Sequence, residues 1–567
     1  MKTLFRDRRR NAFSAVFALC LSSAFVSGYQ LENFDEVRFG ITAVFVFFVL
    51  AALLFVCVLL LMRVTEEKTQ GFFAVENTVL SPGGLKKSFL KCWGGLVLCQ
   101  IPVYLGVFPG FFCYDARNEL DEVLMRSFTT HHPLFHVLLL GGTIAAVHYL
   151  TGSWNAGIAV YTALQMLVIC AIFASVITYL RCRGVKRAWR IFSFVFLGLF
   201  PPVVMFTLCS SKDSLFSAFF LLTLLLLTDC HDRTARFLGC KRTPALFVLS
   251  AALMMLMRHN GLYAYAVFLP FALFLLTERA FRKKAAVMLV LPLAATVLLN
   301  ALLSSVLHAE PPHHQEKLTV PIMQLARLEQ LQPEAFTEEE LQTLYRYLEK
   351  DALDLYDFNQ MRVSDQTKNG FHNPLYEEDA LTFWKLWLRK GLSHPGTYLN
   401  AWYLTSYGFW YPFAVINVYQ GNRGFTFAYE ESSYFAWETE GPGIRTSLLP
   451  SIDALYRSLS LDAWPQKTPV LSLLFAPATY AWITGFVFFF LLSGKEKKTR
   501  KRAVLVLLPV LTFLTVLLGP TYLVRYVICL FLGVTLLPLY LATPHIRNSM
   551  AQRTEISSAA RQSSGSA

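Results

Sequence analysis

Residues 109–140 read "PGFFCYDARNELDEVLMRSFTTHHPLFHVLLL", four carboxylates, two arginines and three histidines set between apolar runs. Carboxylates and imidazoles at this density can move protons. His131, His132 and His136 also have helical spacing that could hold a metal ion, but that spacing specifies no matching carboxylate ligand. Further polar residues end or interrupt apolar runs: Lys212 and Asp213 in "CSSKDSLF", Arg258, His259 and Asn260 in "MRHNGLY", Arg525 and Tyr526 in "YLVRYV". Cations at headgroup depth, with carboxylates beside them, suit an anionic lipid headgroup and a hydroxyl that must lose a proton.

Each of these residues also has a plain structural role. An arginine at the end of a span can snorkel to headgroups, which serves for Arg258 and Arg525. Ser211 and Asp213 can cap the following helix. Asp115, Glu119 and Glu122, at i, i+4 and i+7, can form the solvated face of a helix.

The elements that would position them are membrane helices. Of 567 residues, 55% are apolar, 15% aromatic and only 16% charged, more apolar than a soluble surface carries. Apolar runs long enough to cross a bilayer recur at 11–29, 39–62, 89–108, 154–180, 190–209, 214–229, 244–258, 261–277, 285–307, 469–493, 503–519 and 521–541. The first follows the basic start "MKTLFRDRRR" and reads as an uncleaved span, since no A-x-A site is evident. Residues 131–150 are apolar enough to be another, but a crossing there would put the basic loop "RCRGVKRAWR" (181–190) outside. Laid flat at the interface, that run leaves about 32 Lys and Arg in cytoplasmic segments against about 6 in short outer loops.

The expected fold is therefore an all-α polytopic membrane protein of about twelve transmembrane helices, with both termini cytoplasmic and an interfacial helix in the first large outer loop. N-terminal helices fill 1–88. A transmembrane core fills 89–307, with its outer loop at 109–153, and C-terminal helices occupy 469–541 before a low-complexity cytoplasmic tail (542–567). Residues 308–468 form a mainly helical extracytoplasmic insertion with 21 acidic and 13 basic side chains and no cysteine to brace it. In it, Thr337 and Glu340 have capping-box spacing ahead of Leu341, Leu344, Tyr345 and Leu348 on one helical face. The aromatic run near 384–411, with its Lys and Arg, suits the headgroup layer.

The net charge of +13 is spread through short loops, with no nucleic-acid fold signature, so no nucleic-acid partner is expected. The eleven cysteines show no CxxC pair or zinc spacing and read as small hydrophobes. There is no P-loop, GxGxxG or Asp-x-Asp pair to hold a nucleotide.

The order "YD", "HHPLFH", "SKDS", "RHNG" and "RY", joined by "FHNPLYEED" and "SHPGTYLNAWYLTSYGFWYP", resembles the GT-C class of integral membrane glycosyltransferases. More narrowly it is similar to a bacterial subgroup related to polyprenyl-phosphate-sugar mannosyltransferases and protein O-mannosyltransferases. The likeness spans roughly 90–545 and is carried by the order and shared sidedness of short motifs. It implies a GT-C-like bundle of the cell envelope that transfers a sugar from a polyprenyl-phosphate donor to a hydroxyl of a glycan, lipid or protein acceptor on the extracytoplasmic face, with inversion. It implies Asp115 as catalytic base or acceptor contact. Glu119 stands where relatives often have an amide, which leaves open which carboxylate is the base. Lys212, Asp213, Arg258, Asn260, Arg525, Tyr526 and His132 are implied as donor-phosphate or substrate contacts. No metal ligand set is implied, and a divalent cation remains open. A lipid-linked glycan polymerase or ligase shares such an outer site. A flippase or transporter would place its charges near the midplane on repeated, broken helices, and neither feature is visible here. If the motif residues fail to meet in space, a noncatalytic scaffold remains.

Overall fold

In the computed structural model the described residues are 7–73, 82–113, 115–357, 363–414, 441–461, 464–519 and 522–542. They are helical throughout, with isolated bridges and no named strand among them. Seven helices are long and apolar enough to cross a membrane, or eight if one bent pair counts as a single span, and the chain is a membrane protein. They include α1 (Arg8–Phe34), α2 (Ile41–Phe73) and α3 (Pro82–Gly106). After the short α4 (Ala116–Met125) come α5 (Leu134–Thr151) and α6 (Trp154–Cys182), both long enough to cross. Thus α5, expected to lie flat at the interface, meets the length and apolarity of a crossing helix.

Several of the expected spans are shorter or broken. The run 190–209 is split into α7 (Arg187–Leu199) and α8 (Pro201–Thr207), bent by 54°. Pro201 and Pro202 open the second piece, where proline's missing N–H costs no helix bond. Next comes α9 (Lys212–Asp232), 89% of whose apolar window is buried, so it is the central post of the bundle. Against it packs α10 (Arg242–Met257), and on α10 in turn pack α11 (His259–Leu275) and α12 (Arg282–Val306). The C-terminal helices are α13 (Pro477–Ser493), α14 (Val504–Val516) and the short α15 (Ile528–Gly533), preceded by an irregular stretch carrying Arg525.

The insertion has its own core. The capping box at Thr337 and Glu340 is formed, and Leu344 and Leu348 are buried with Leu341 and Tyr345 packed beside them. The aromatic run divides. Phe383 and Tyr398 enter that core and the Trp387 indole donates to Gln324 Oε1 (2.8 Å), whereas the Trp402 indole donates to the Leu517 carbonyl at the end of α14 (2.7 Å). The insertion is thereby tied to the bundle, and also to the α1–α2 turn, where Val37 N–H donates to Asn400 Oδ1 (2.8 Å).

At its C-terminal end α9 carries Asp229 and Asp232, both unfavourable to the helix dipole. Arginines offset them: Arg183 holds Asp232 at 2.7 Å and Arg502 holds it at 2.5 Å, joining α6, α9 and the segment before α14. Removing a buried partner leaves uncompensated charge. Asp232→Ala should therefore destabilise the detergent-solubilised protein by roughly 3–5 kcal/mol. Arg63→Ala, which breaks an exposed i,i+4 pair with Glu67, should cost less than about 0.5 kcal/mol. Thermal unfolding of the two variants side by side is the check.

Candidate functional site

Two short segments meet at the end of α9 where Lys212 opens the helix. The chain leaves α3, turns at Gly110 with φ +137°, and a Cβ there would lie 2.4 Å from Thr162 Oγ1, so both conformation and space demand glycine. Phe111 N–H then donates to the Leu208 carbonyl (3.1 Å) and Ser210 N–H donates to the Phe111 carbonyl (2.9 Å), a parallel bridge between Phe111 and Cys209. Beyond the bridge, one segment delivers Asp115 and the other Lys212. Residues 445–448 lie across the first segment: Thr446 N–H donates to the Phe108 carbonyl (3.0 Å) and the Arg445 guanidinium sits 5.3 Å from the Phe111 ring centre.

Asp115 occupies the N-cap position of α4 without capping it. Its Oδ2 instead accepts from Lys212 Nζ (2.6 Å) and from Arg525 Nη1 (3.1 Å). Lys212 Nζ also donates to His132 Nδ1 (3.0 Å) and lies 3.8 Å from Glu119 Oε1. Ser211 caps α9 by accepting from Asp213 N–H (3.2 Å), and its hydroxyl donates to Asp213 Oδ2 (2.8 Å). Asp213 Oδ1 is ion-paired to Arg258, and Arg525 Nε lies 3.8 Å from Asp213 Oδ2. Both guanidiniums stand over the Tyr526 ring, Arg258 at 4.4 Å and Arg525 at 5.0 Å. Eight of the nine sequence-singled residues therefore meet in one cluster. The ninth, Asn260, donates to Thr515 Oγ1 (3.2 Å) and ties α11 to α14.

Sequence reasoning missed the hydrogen-bond chain behind Glu119. Glu119 Oε2 meets His136 Nδ1 at 2.5 Å, and His136 Nε2 meets the Tyr161 hydroxyl at 3.0 Å. Tyr161 donates to Gln165 Oε1 (3.1 Å), whose amide donates to the carbonyls of Thr207 (2.9 Å) and Cys209 (2.7 Å). Because Gln165 spends its N–H groups on carbonyls, the Tyr161 proton points to Gln165, and Tyr161 accepts from His136 Nε2–H. His136 Nδ1 then faces a carboxylate, so the Glu119–His136 pair shares one proton. The available signal was Tyr161 and Gln165 at i, i+4 on one face of an apolar span.

Burial alone would raise the carboxyl of Asp115, but Lys212 and then Arg525 hold it well below the usual carboxylate range. Burial would likewise raise the Glu119 carboxyl, but His136 and then Lys212 hold it below the usual carboxylate range. Burial, with Lys212 adding to it, pushes His132 down to about 3, so its imidazole is neutral. With the Glu119–His136 pair sharing one proton and so counting as neutral, the described cluster sets Lys212, Arg258 and Arg525 against Asp115 and Asp213, an excess of one positive charge. No group of His, Cys, Asp and Glu among the described residues has the arrangement of a metal site. Along α15 lies a small, mostly apolar cavity of about 20 Å³, lined by Leu224, Val487, Val506, Cys529, Val534 and Leu537, of which Cys529 is within electrostatic reach of Arg258.

An all-helical membrane bundle with a buried, cation-rich polar cluster at the end of its central helix is the class these features define. The chain belongs to a family of unknown function, DUF6020, whose model matches residues 125–557. That segment includes His132, Lys212, Asp213, Arg258, Arg525 and Tyr526, while Asp115 and Glu119 precede it. No curated protein and no solved structure matches the chain.

Glu122, one turn beyond Glu119, is pushed up to about 7 by burial and the Glu119 charge, against the Thr129 N–H that it accepts at 3.0 Å. A carboxyl raised on folding favours the folded state below its unfolded value, and that contribution is lost as pH rises through about 7. The melting-temperature difference between wild type and Glu122→Gln should therefore shift against wild type as pH goes from about 5 to about 8. A pH-independent difference would exclude this titration.

Proposed function

We propose that the protein is a membrane glycosyltransferase that moves a sugar from a polyprenyl-phosphate donor to an acceptor hydroxyl on the extracytoplasmic face of the plasma membrane, with inversion. The observation that carries this reading is the sharing of one carboxylate, Asp115, by Lys212 and Arg525 at the end of the central apolar helix α9. An amphiphile with a phosphate head and a hydrocarbon tail matches cations gathered at the end of an apolar membrane bundle. The excess positive charge of the cluster suits a singly charged phosphodiester.

Sidedness follows from the lysine and arginine distribution across about twelve crossings, with α5 at the outer interface. Support comes from how α5 packs. His136, in its first turn, meets Tyr161 within the first third of the 29-residue α6, and α5 also touches α10 and α12, as a helix inclined across the bundle would.

In the mechanism the donor phosphate enters among Lys212, Arg258 and Arg525, drawing these cations from the two aspartates. Asp115, released from the charges that hold it low, becomes a stronger base and takes the proton of the acceptor hydroxyl. The acceptor oxygen bonds to the anomeric carbon from the face opposite the phosphate as the carbon–oxygen bond to phosphate breaks. The electron pair leaves on a phosphate monoester, whose growing charge the three cations stabilise. Glu119, paired with His136, steadies Lys212 in this scheme, which assigns the base to Asp115. No divalent cation is required by it.

Membranes containing the protein should transfer sugar from a polyprenyl-phosphate-sugar and not an oligosaccharide from a polyprenyl diphosphate. Asp115→Asn should lower that transfer by roughly 100- to 10,000-fold at unchanged expression. An Asn variant of near wild-type activity would remove Asp115 as the base. Use of the diphosphate donor alone would favour a glycan polymerase or ligase, and lipid movement between leaflets without transfer would favour a flippase.

A further inference from the structure

Cys113 and Cys209 place their sulfurs 3.7 Å apart, although 96 positions separate them in the chain. Both are buried, at 2% and 0% exposure. They stand on the two segments joined by the Phe111–Cys209 bridge, two residues before Asp115 and three before Lys212. The backbone of Cys209 is fixed on its carbonyl by Gln165 (2.7 Å) and by the Ser214 hydroxyl (3.2 Å). The backbone leading to Cys113 is fixed by the Phe111 hydrogen bonds. A bonded pair lies about 2.05 Å apart, so the sulfurs have less than about 2 Å to close.

We propose that Cys113 and Cys209 form a disulfide that locks the Asp115 segment to the Lys212 segment. The proposal rests on the outward sidedness argued above, because disulfides persist in oxidising compartments. The oxidant is a disulfide-carrying thiol oxidoreductase. One cysteine thiolate displaces a sulfur of its disulfide to give a mixed disulfide. The second thiolate then attacks the cysteine sulfur and releases the carrier as a dithiol. Two protons leave the cysteines and their two electrons reduce the carrier. Since both sulfurs are enclosed in the finished fold, exchange takes place before the segments pack.

The test uses full-length protein in intact cells, quenched in acid, denatured and alkylated before and after reduction, with peptides read by mass spectrometry. Cys113 and Cys209 are expected in one cross-linked peptide pair and open to alkylation only after reduction. Reductant should lower the melting temperature of the wild type by several degrees and leave Cys113→Ser/Cys209→Ser unmoved. Alkylation of both thiols without reductant would overturn the disulfide. In parallel, Met125→Cys, at the 73% exposed last residue of α4 in the outer loop, should react with a membrane-impermeant maleimide added outside. If it reacts while both thiols alkylate without reduction, the disulfide alone fails. If it is protected, the sidedness and the disulfide fall together.

Discussion

The contact on which the site depends is the Asp115 carboxylate shared by Lys212 and Arg525. Lys212 comes from the first turn of α9, Arg525 from the irregular stretch before α15, and Asp115 from the loop after α3, so one carboxylate joins three parts of the chain. Without it Lys212, Arg525 and Arg258 would face one another at short range in a poorly solvated site, where like charges repel strongly. Asp213 does the same for Arg258 from the other side. Such a cluster is no argument for stability, since desolvating its members can exceed what their attraction returns. Its gathering of cations at the end of an apolar helix gives it a reason in ligand binding instead.

Helix α9 carries charge at both ends and is apolar between them. At the Lys212 end Ser211 caps the helix and Asp213 complements its dipole, which leaves Lys212 free of any capping duty. At the far end Asp229 and Asp232 oppose the dipole and need Arg183, Arg233 and Arg502 to neutralise them. The three arginines tie α6, α9 and the C-terminal helices together, so the post that presents Lys212 is anchored at its opposite end.

Much of this was legible in the sequence because ionisable side chains in apolar surroundings are few and visible. Asp115, Glu119, Lys212, Arg258 and Arg525 could be singled out one by one, and the capping box at Thr337 followed from spacing alone. Two kinds of feature were not legible. Hydropathy counts apolar residues but not the breaks between them, so the run 190–209 gave no measure of its 54° bend. Likewise the aromatic run near 384–411 looked uniform, yet Trp387 and Trp402 serve different cores because the chain turns between α-helical pieces at His394 and Pro395. The second kind is the long-range pairing of ordinary residues. Nothing local to Tyr161 or to Cys209 announces a partner, and the Glu119–His136–Tyr161–Gln165 chain exists only once α4, α5 and α6 are packed.

That chain ends where the two site segments join. Gln165 reads the carbonyl of Cys209, the residue bridged to Phe111, while Glu119 at the other end of the chain faces Lys212. A proton held between Glu119 and His136 therefore sits on a path that runs from the lysine through one ion pair and then hydrogen bonds to the backbone that presents it. Without that shared proton, Glu119 would be an uncompensated buried carboxylate 3.8 Å from Lys212 and would draw the ammonium from Asp115. The shared proton thus keeps Lys212 on Asp115, and the geometry of the outer residues is set one helix deeper.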